Sequence, residues 1–254
     1  MLLAIDVGNT HTVFGLYEGP QLRHHWRLQT KRGRTADEYG VLVGDLLEGV
    51  GRPPIGGIAV SSVVPPLTQV IETFCRTYLR IVPLLAGPGV RTGMAIRYDD
   101  PQQVGTDRIA NAVAAYERTH DATIVVDLGT ATKFEYVSER GEYLGGAIAP
   151  GLGIAADALF ERAARLYRVE LVKPKYVIGR NTVHAIQSGL IYGYAALVDG
   201  MVARIRRETL PRARVIATGG FAPLLGGECT SIDVVDEFLT LDGLRLIYER
   251  NSDQ

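Results

Sequence analysis

A short motif that occurs twice constrains this chain more than any other feature in it. Apolar Leu2 to Ile5 runs into Asp6-Val7-Gly8-Asn9-Thr10-His11-Thr12, then Val13-Phe14-Gly15-Leu16-Tyr17 and a turn at Gly19-Pro20. Much later, Thr123 to Val126 runs into Asp127-Leu128-Gly129-Thr130-Ala131-Thr132, then Lys133 to Val137 and a turn at Arg140-Gly141. Each copy reads as strand, Asp-x-Gly-[Asn/Thr] turn, strand, turn, strand, with the period-2 alternation of a β-meander. The third strands are expected at Gln21 to Leu28 and Tyr143 to Ile148.

Helical patterns follow both meanders. In the first half they cover Thr35 to Val50, Pro65 to Leu79 and Gln103 to Thr119, with a short strand at Ile55 to Ser61. In the second half they cover Gly153 to Leu166, Asn181 to Leu210 and Leu241 to Arg250, with a strand at Arg214 to Ala217. Strands followed by interleaved helices, twice over, predict an α/β chain of two similar domains with a cleft between them. The expected division is 1–115 and 116–254, through the helix that precedes Ala122.

Composition narrows the function. With 27 basic against 28 acidic side chains, the chain lacks the overall positive charge on which most nucleic-acid binding leans. Arg204-Ile205-Arg206-Arg207 reads as the solvated face of a helix. Cys75 and Cys229 are too few for a disulfide framework or a four-ligand zinc site. The five histidines show no metal-ligand spacing. No run approaches the ~18 apolar residues of a membrane span, and Met1 to Ile5 has no basic leader, so a cytoplasmic location is expected. Glycine is in excess, 29 of 254 residues or roughly 11% against a usual ~7%, with no collagen period.

The glycines fall in turns suited to a nucleotide. In the Asp6 turn, Gly8 permits close approach, while neighbouring amides and the Asn9, Thr10 and Thr12 side chains offer donors to phosphate oxygens. Asp6, at a strand end, is placed to hold hydrated magnesium. A plain hairpin with an Asx-turn is the alternative for one copy. The second copy offers Gly129, Thr130 and Thr132, with Asp127 as a further oxygen ligand. Ala217-Thr218-Gly219-Gly220 either lets a nucleoside lie on bare backbone or is a simple strand-to-helix turn. There is no P-loop, and Gly151-Leu152-Gly153-Ile154-Ala155-Ala156 lacks the later acidic residue of a dinucleotide site, so it reads as a helix start. Gly105-Thr106-Asp107-Arg108 opens a helix, where Asp107 is either a cap or a base that takes a hydroxyl proton beside a guanidinium.

Taken in order, Asp6 to Thr10, Gly105 to Arg108, Asp127 to Thr132, Gly145 to Gly151, Asn181-Thr182 and Ala217 to Gly220 resemble the acetate and sugar kinase, heat-shock chaperone and actin superfamily. Within it, the set looks like type III pantothenate kinase. The resemblance implies two ribonuclease H-like domains, ATP between them, and a homodimer whose interface contributes to the pantothenate site. It assigns ATP phosphates and Mg2+ to Asp6, Val7, Gly8, Asn9, Thr10, His11, Thr12 and Val13. Further ATP contacts are implied at Thr130, Gly219 and Gly220. A monovalent cation, K+ or NH4+, is implied at Asp127, and Asp107 is implied as the general base. Pantothenate would meet Tyr98, Gly105, Thr106, Asp107, Arg108 and Thr182. Lys133 departs from the small polar residue many members carry, and its ammonium either reaches the phosphates or points outward. A nucleotide-dependent regulatory protein on the same fold, or a kinase of another small hydroxylated substrate, are the competing readings.

Overall fold

The computed structural model describes residues 1–163 and 165–252. Its strands are β1 (Leu2–Val7), β2 (His11–Glu18), β3 (Gln21–Gln29), β4 (Gly57–Ser62), β5 (Leu84–Leu85), β6 (Ala95–Ile96), β7 (Thr123–Leu128), β8 (Ala131–Val137), β9 (Glu142–Pro150), β10 (Arg214–Thr218) and β11 (Val234–Val235). Its helices are α1 (Ala36–Glu48), α2 (Pro65–Phe74), α3 (Thr106–Thr119), α4 (Leu152–Arg162), α5 (Thr182–Glu208), α6 (Ala222–Leu225) and α7 (Leu239–Ser252).

Contacts group the chain into two compact units. One comprises Met1–Met94, Tyr98–Ala114 and Leu239–Gln254, the other Ala95–Arg97 and Ala115–Phe238. The first is built on a five-stranded sheet in the order β3-β2-β1-β4-β5. β1, β2 and β3 form the antiparallel meander, and β4 joins β1 in parallel, with Asp6 opposite Ser61 and Val7 opposite Ser62. The second contains β9-β8-β7-β10-β11 in the same relative order, with β6 added outside β9. Here too the meander is antiparallel and β10 joins β7 in parallel. The repeated motif is therefore a repeated sheet.

Local sequence explains the elements. β1 and β7 are the central strands and their residues are mostly buried, so they read as apolar runs rather than alternations. β3, at the edge, alternates instead, with Leu22, Trp26 and Leu28 half-buried between exposed neighbours. Thr35 caps α1, accepting the Glu38 amide while the Glu38 carboxylate accepts the Thr35 amide, a complete capping box. Pro65 and Pro66 open α2, where the missing amide hydrogens have no helical partner to lose. The pattern continuing to Leu79 widens into a π-helical turn at Cys75–Leu79, closed by Arg80 in the left-handed region. Asn181 caps α5 by accepting the His184 amide. The expected helix Gly153 to Leu166 is shorter, since α4 ends at Arg162, and residue 164 lies outside the described residues.

Each unit has its own core. Leu3, Ile5, Phe14, Leu16, Tyr39, Ile58, Ile71 and Phe74 fill the first. Ile124, Val126, Phe134, Ile191, Val198, Val202 and Val215 fill the second. α7 belongs with the first unit although the repeat assigns residues 116–254 to the second half. Its Thr240 hydroxyl donates to Asn111 Oδ1 at 2.7 Å, and it rests on β1 and β4. At Gly243 it approaches α3 so closely that a Cβ would stand 1.9 Å from the Ala110 carbonyl oxygen. The division at 115/116 remains our proposal for where the duplicated halves meet in sequence. Among the described residues, no helix is long and apolar enough to cross a membrane.

Candidate active site

In the first unit the expected residues gather at the carboxyl ends of β1 and β4, the edge where open α/β sheets bind ligands. Asp6 is half-buried at the end of β1, and its neighbour across the parallel ladder is Ser61. Ser61 is fully buried, and its hydroxyl lies 2.9 Å from that of Thr106, the first residue of α3. Asp107 follows directly. Strand pairing and one hydroxyl contact thus link the metal candidate to the base candidate. Ser61 and Ser62 went unremarked in the sequence, where the signal was a strand ending in two hydroxyls at the position equivalent to a ligand edge.

Asp107 stands in the first turn of α3. The Gly105 carbonyl is the first of the helix, accepting both the Arg108 and Ile109 amides at 3.0 and 3.2 Å. The Asp107 carboxylate folds back so that Oδ1 accepts the Arg108 amide at 2.9 Å. A Cβ at position 105 would stand 2.5 Å from that oxygen, so glycine clears the space the carboxylate uses. Asp107 is half-buried, within reach of a ligand, while Arg108 is buried. Tyr98 is half-buried in the same unit.

The Asp6 turn is held rigid by a residue outside it. The Thr30 hydroxyl donates to the Gly8 carbonyl at 2.8 Å, and the Thr30 amide donates to the Thr10 carbonyl at 2.9 Å. Since Thr30 spends its hydrogen on Gly8, the fully buried Thr12 hydroxyl donates to Thr30, 2.9 Å away. Thr12 and the buried Val7 therefore shape the turn from beneath, and Val13, also half-buried, stands opposite Asp6 on β2. Asn9, Thr10 and His11 are exposed at the tip. Although His11 is exposed at the tip, partial desolvation and then the nearby Arg27 guanidinium push its imidazole below the ordinary value. A carboxylate at a strand end beside hydroxyl groups is an all-oxygen donor set that fits a hydrated Mg2+ ion.

The second unit holds the companion turn. Thr130 is exposed at its tip and Thr132 is buried beneath it, matching Thr10 and Thr12. Gly219 has a φ of +92° and lies against this turn, where a Cβ would stand 2.5 Å from Asp127 Oδ1 and 2.6 Å from the Leu128 carbonyl carbon. Only glycine satisfies both demands. The Phe221 amide donates to the Leu128 carbonyl at 2.9 Å, fixing Gly219 and the exposed Gly220 beside the end of β7. Asp127 differs from Asp6 in one respect: its cross-strand partner is Lys133, whose Nζ lies 2.7 Å from Asp127 Oδ2. An added K+ or NH4+ would have to share that carboxylate with an ammonium already on it, so these residues do not fit a monovalent cation. Lys133 points to Asp127 rather than outward.

Thr182 is exposed in the first turn of α5. It lines a cavity of about 690 Å³ with Leu159, Gly179, Arg180, Asn181 and Ile186.

Two sheets of one strand order, each with an Asp-x-Gly turn leaving its first strand, define the duplicated α/β fold of actin-like ATPases and sugar kinases. An inorganic polyphosphate/ATP-glucomannokinase from Arthrobacter sp. strain KM aligns over 100% of this chain and 99% of its own, with a TM-score of 0.52 at 15% identity. A Baf family transcriptional activator from Campylobacter jejuni aligns over 99% and 100%, with a TM-score of 0.62 at 19% identity. Sequence narrows the class. The profile of the type III pantothenate kinase family matches residues 2–204. The type III pantothenate kinase of Anaeromyxobacter sp. (strain Fw109-5) is 56% identical over 253 residues, covering 99% of this chain and 100% of that one. The chain belongs to the type III pantothenate kinase family.

Proposed function

We propose that this chain transfers the γ-phosphoryl group of ATP to the 4′-hydroxyl of pantothenate, the first step of coenzyme A biosynthesis. Family membership along almost the whole chain supports the substrate. The observation that carries the chemistry is the juxtaposition of Asp6, Ser61, Thr106 and Asp107 at one sheet edge.

Asp107 takes the hydroxyl proton as the oxygen attacks the γ-phosphorus. The new O–P bond forms while the bond to the β,γ-bridging oxygen breaks, and ADP leaves with that oxygen. The amides and side chains of Asn9 and Thr10 donate to phosphate oxygens, while the Gly8 amide closes the turn on the His11 carbonyl, so backbone dipoles replace a basic patch. That accords with a chain of formal net charge −1. Asp6 would hold Mg2+ through water, and the bound ion would neutralise phosphate charge as the bond breaks. Thr130, Gly219 and Gly220 are further nucleotide contacts in this reading. Tyr98, Gly105, Thr106, Arg108 and Thr182 bind pantothenate, the buried guanidinium offering a forked donor to its polar groups.

A homodimer completes the substrate site in this reading. Tyr176, Val177 and Ile178 stand 63%, 66% and 83% exposed just before α5, a run of apolar side chains that a partner subunit could cover. The protein acts in the cytoplasm. The test is a screen of small hydroxylated acceptors with ATP and Mg2+, followed by mass spectrometry. Phosphopantothenate as the dominant product is the expected outcome; ATP turnover only with another acceptor would overturn the assignment.

A further inference from the structure

The family resemblance implies a monovalent cation at Asp127, yet the structure puts a side chain there. Lys133 is the residue directly opposite Asp127 in the β7–β8 register, and its Nζ lies 2.7 Å from Oδ2. Both side chains are largely covered, 14% and 13% exposed. The other carboxylate oxygen, Oδ1, is wedged between two glycines, with Cβ positions of Gly219 and Gly129 only 2.5 and 3.1 Å away. The carboxylate is thus enclosed on one side by bare backbone and neutralised on the other by a tethered ammonium. A diffusible cation entering at Oδ2 would meet a like charge a few ångströms off, in surroundings that screen it poorly.

From this we infer that Lys133 is a built-in replacement for the monovalent cation, so that the enzyme needs neither K+ nor NH4+. The net charge beside the second turn is the same in either arrangement: one carboxylate and one monovalent positive centre. An ammonium is a compact, hydrogen-bonding point charge, close in character to NH4+. Delivered by β8, it is always present, whereas a free ion must be captured from solution. Lys133 is a positioning residue in this role. It fixes the Asp127 carboxylate against Gly129 and Gly219, and through them the turn that offers Thr130. The inference rests on the kinase reading above, and its tests separate the two.

Initial rates of the purified wild-type enzyme are compared in KCl and in choline chloride at one ionic strength. Equal rates, within about twofold, are expected; a rise of about tenfold or more with KCl overturns the inference and leaves the kinase reading intact. In Lys133→Thr the ammonium is removed and space opens beside Asp127. Its rate in choline chloride should fall on the order of tenfold and be restored by KCl or ammonium chloride but not by further choline, because a mobile cation then satisfies the stranded carboxylate. A variant that is folded, fully active in choline chloride and indifferent to K+ also overturns the inference. Calorimetric titration of the wild type with a non-hydrolysable ATP analogue and Mg2+ gives a readout independent of transfer. The Kd should be the same in both salts, and tighter binding in KCl alone would contradict the proposal. Should no phosphopantothenate form in either salt, the pantothenate assignment fails while this titration still decides the role of Lys133.

Discussion

The turns after β1 and after β7 have nearly the same sequence but different residues across the strand from the aspartate. Both place an aspartate at the end of a central strand, a glycine two residues on, an exposed threonine at the tip and a buried threonine below. At the next position of the returning strand they part: Val13 stands opposite Asp6, and Lys133 stands opposite Asp127. Beside the first aspartate in the parallel ladder stands Ser61, whose hydroxyl meets that of Thr106, the residue before Asp107. The second is held by its own chain. We propose that duplication supplied two similar turns and that the residue across the strand sets their different roles.

That contrast can be attacked at several points. The largest effect is expected from Asp107→Asn, which keeps the shape of the α3 start but removes the proposed base. Transfer to pantothenate should drop by about 10²–10⁴-fold, while ATP binding measured by calorimetry stays near the wild-type value. Full turnover in that variant would remove Asp107 from the chemistry. Next comes an exchange of character between the turns. Val13→Lys puts an ammonium opposite Asp6, as Lys133 stands opposite Asp127. If the partner decides the role, kcat should fall about a hundredfold and the Mg2+ concentration needed for half-activity should rise. A normal Mg2+ profile would show that register does not govern the site.

Smaller effects test the scaffold. Gly219→Ala forces a side chain into the left-handed region and against Asp127 and Leu128, so the urea midpoint should report a loss of about 1–3 kcal/mol. Unchanged stability would mean that this backbone is free to relax. Thr30→Val removes the hydroxyl that staples Gly8 and leaves the buried Thr12 hydroxyl only its long 3.5 Å contact to Tyr39, a cost of about 1–3 kcal/mol. The KM for ATP should rise severalfold with little change in kcat. A pure kcat effect would instead place Thr30 in the transfer step.

How much of this the amino-acid sequence discloses depends on range. The two meanders and the helix starts at Thr35, Pro65 and Asn181 follow from local patterns and were legible. So was the set of turn residues, because Asp-x-Gly between strand-like runs has a local physical meaning. The parallel placement of β4 and β10 was not. Nor were three other features. β5, β6 and β11 are two-residue edge strands, too short to carry a period. α7 follows the second repeat in sequence but packs with the first unit, because its Gly243 and Thr240 match Ala110 and Asn111 at a distance no periodicity reveals. And the fate of Lys133 depended on the exact length of the turn. One residue fewer than in the Asp6 turn still brings position 133 opposite 127, and only the pairing register shows that the ammonium ends on the carboxylate.

The division of labour between the turns is tested most directly by the Mg2+ dependence of phosphopantothenate formation in Asp6→Asn and Asp127→Asn, measured side by side. Removing the Asp6 charge should raise the Mg2+ requirement strongly, whereas Asp127→Asn should lower the rate at every Mg2+ concentration without moving the half-activity point. An equal shift in both variants would contradict the account, since both carboxylates would then be serving the metal.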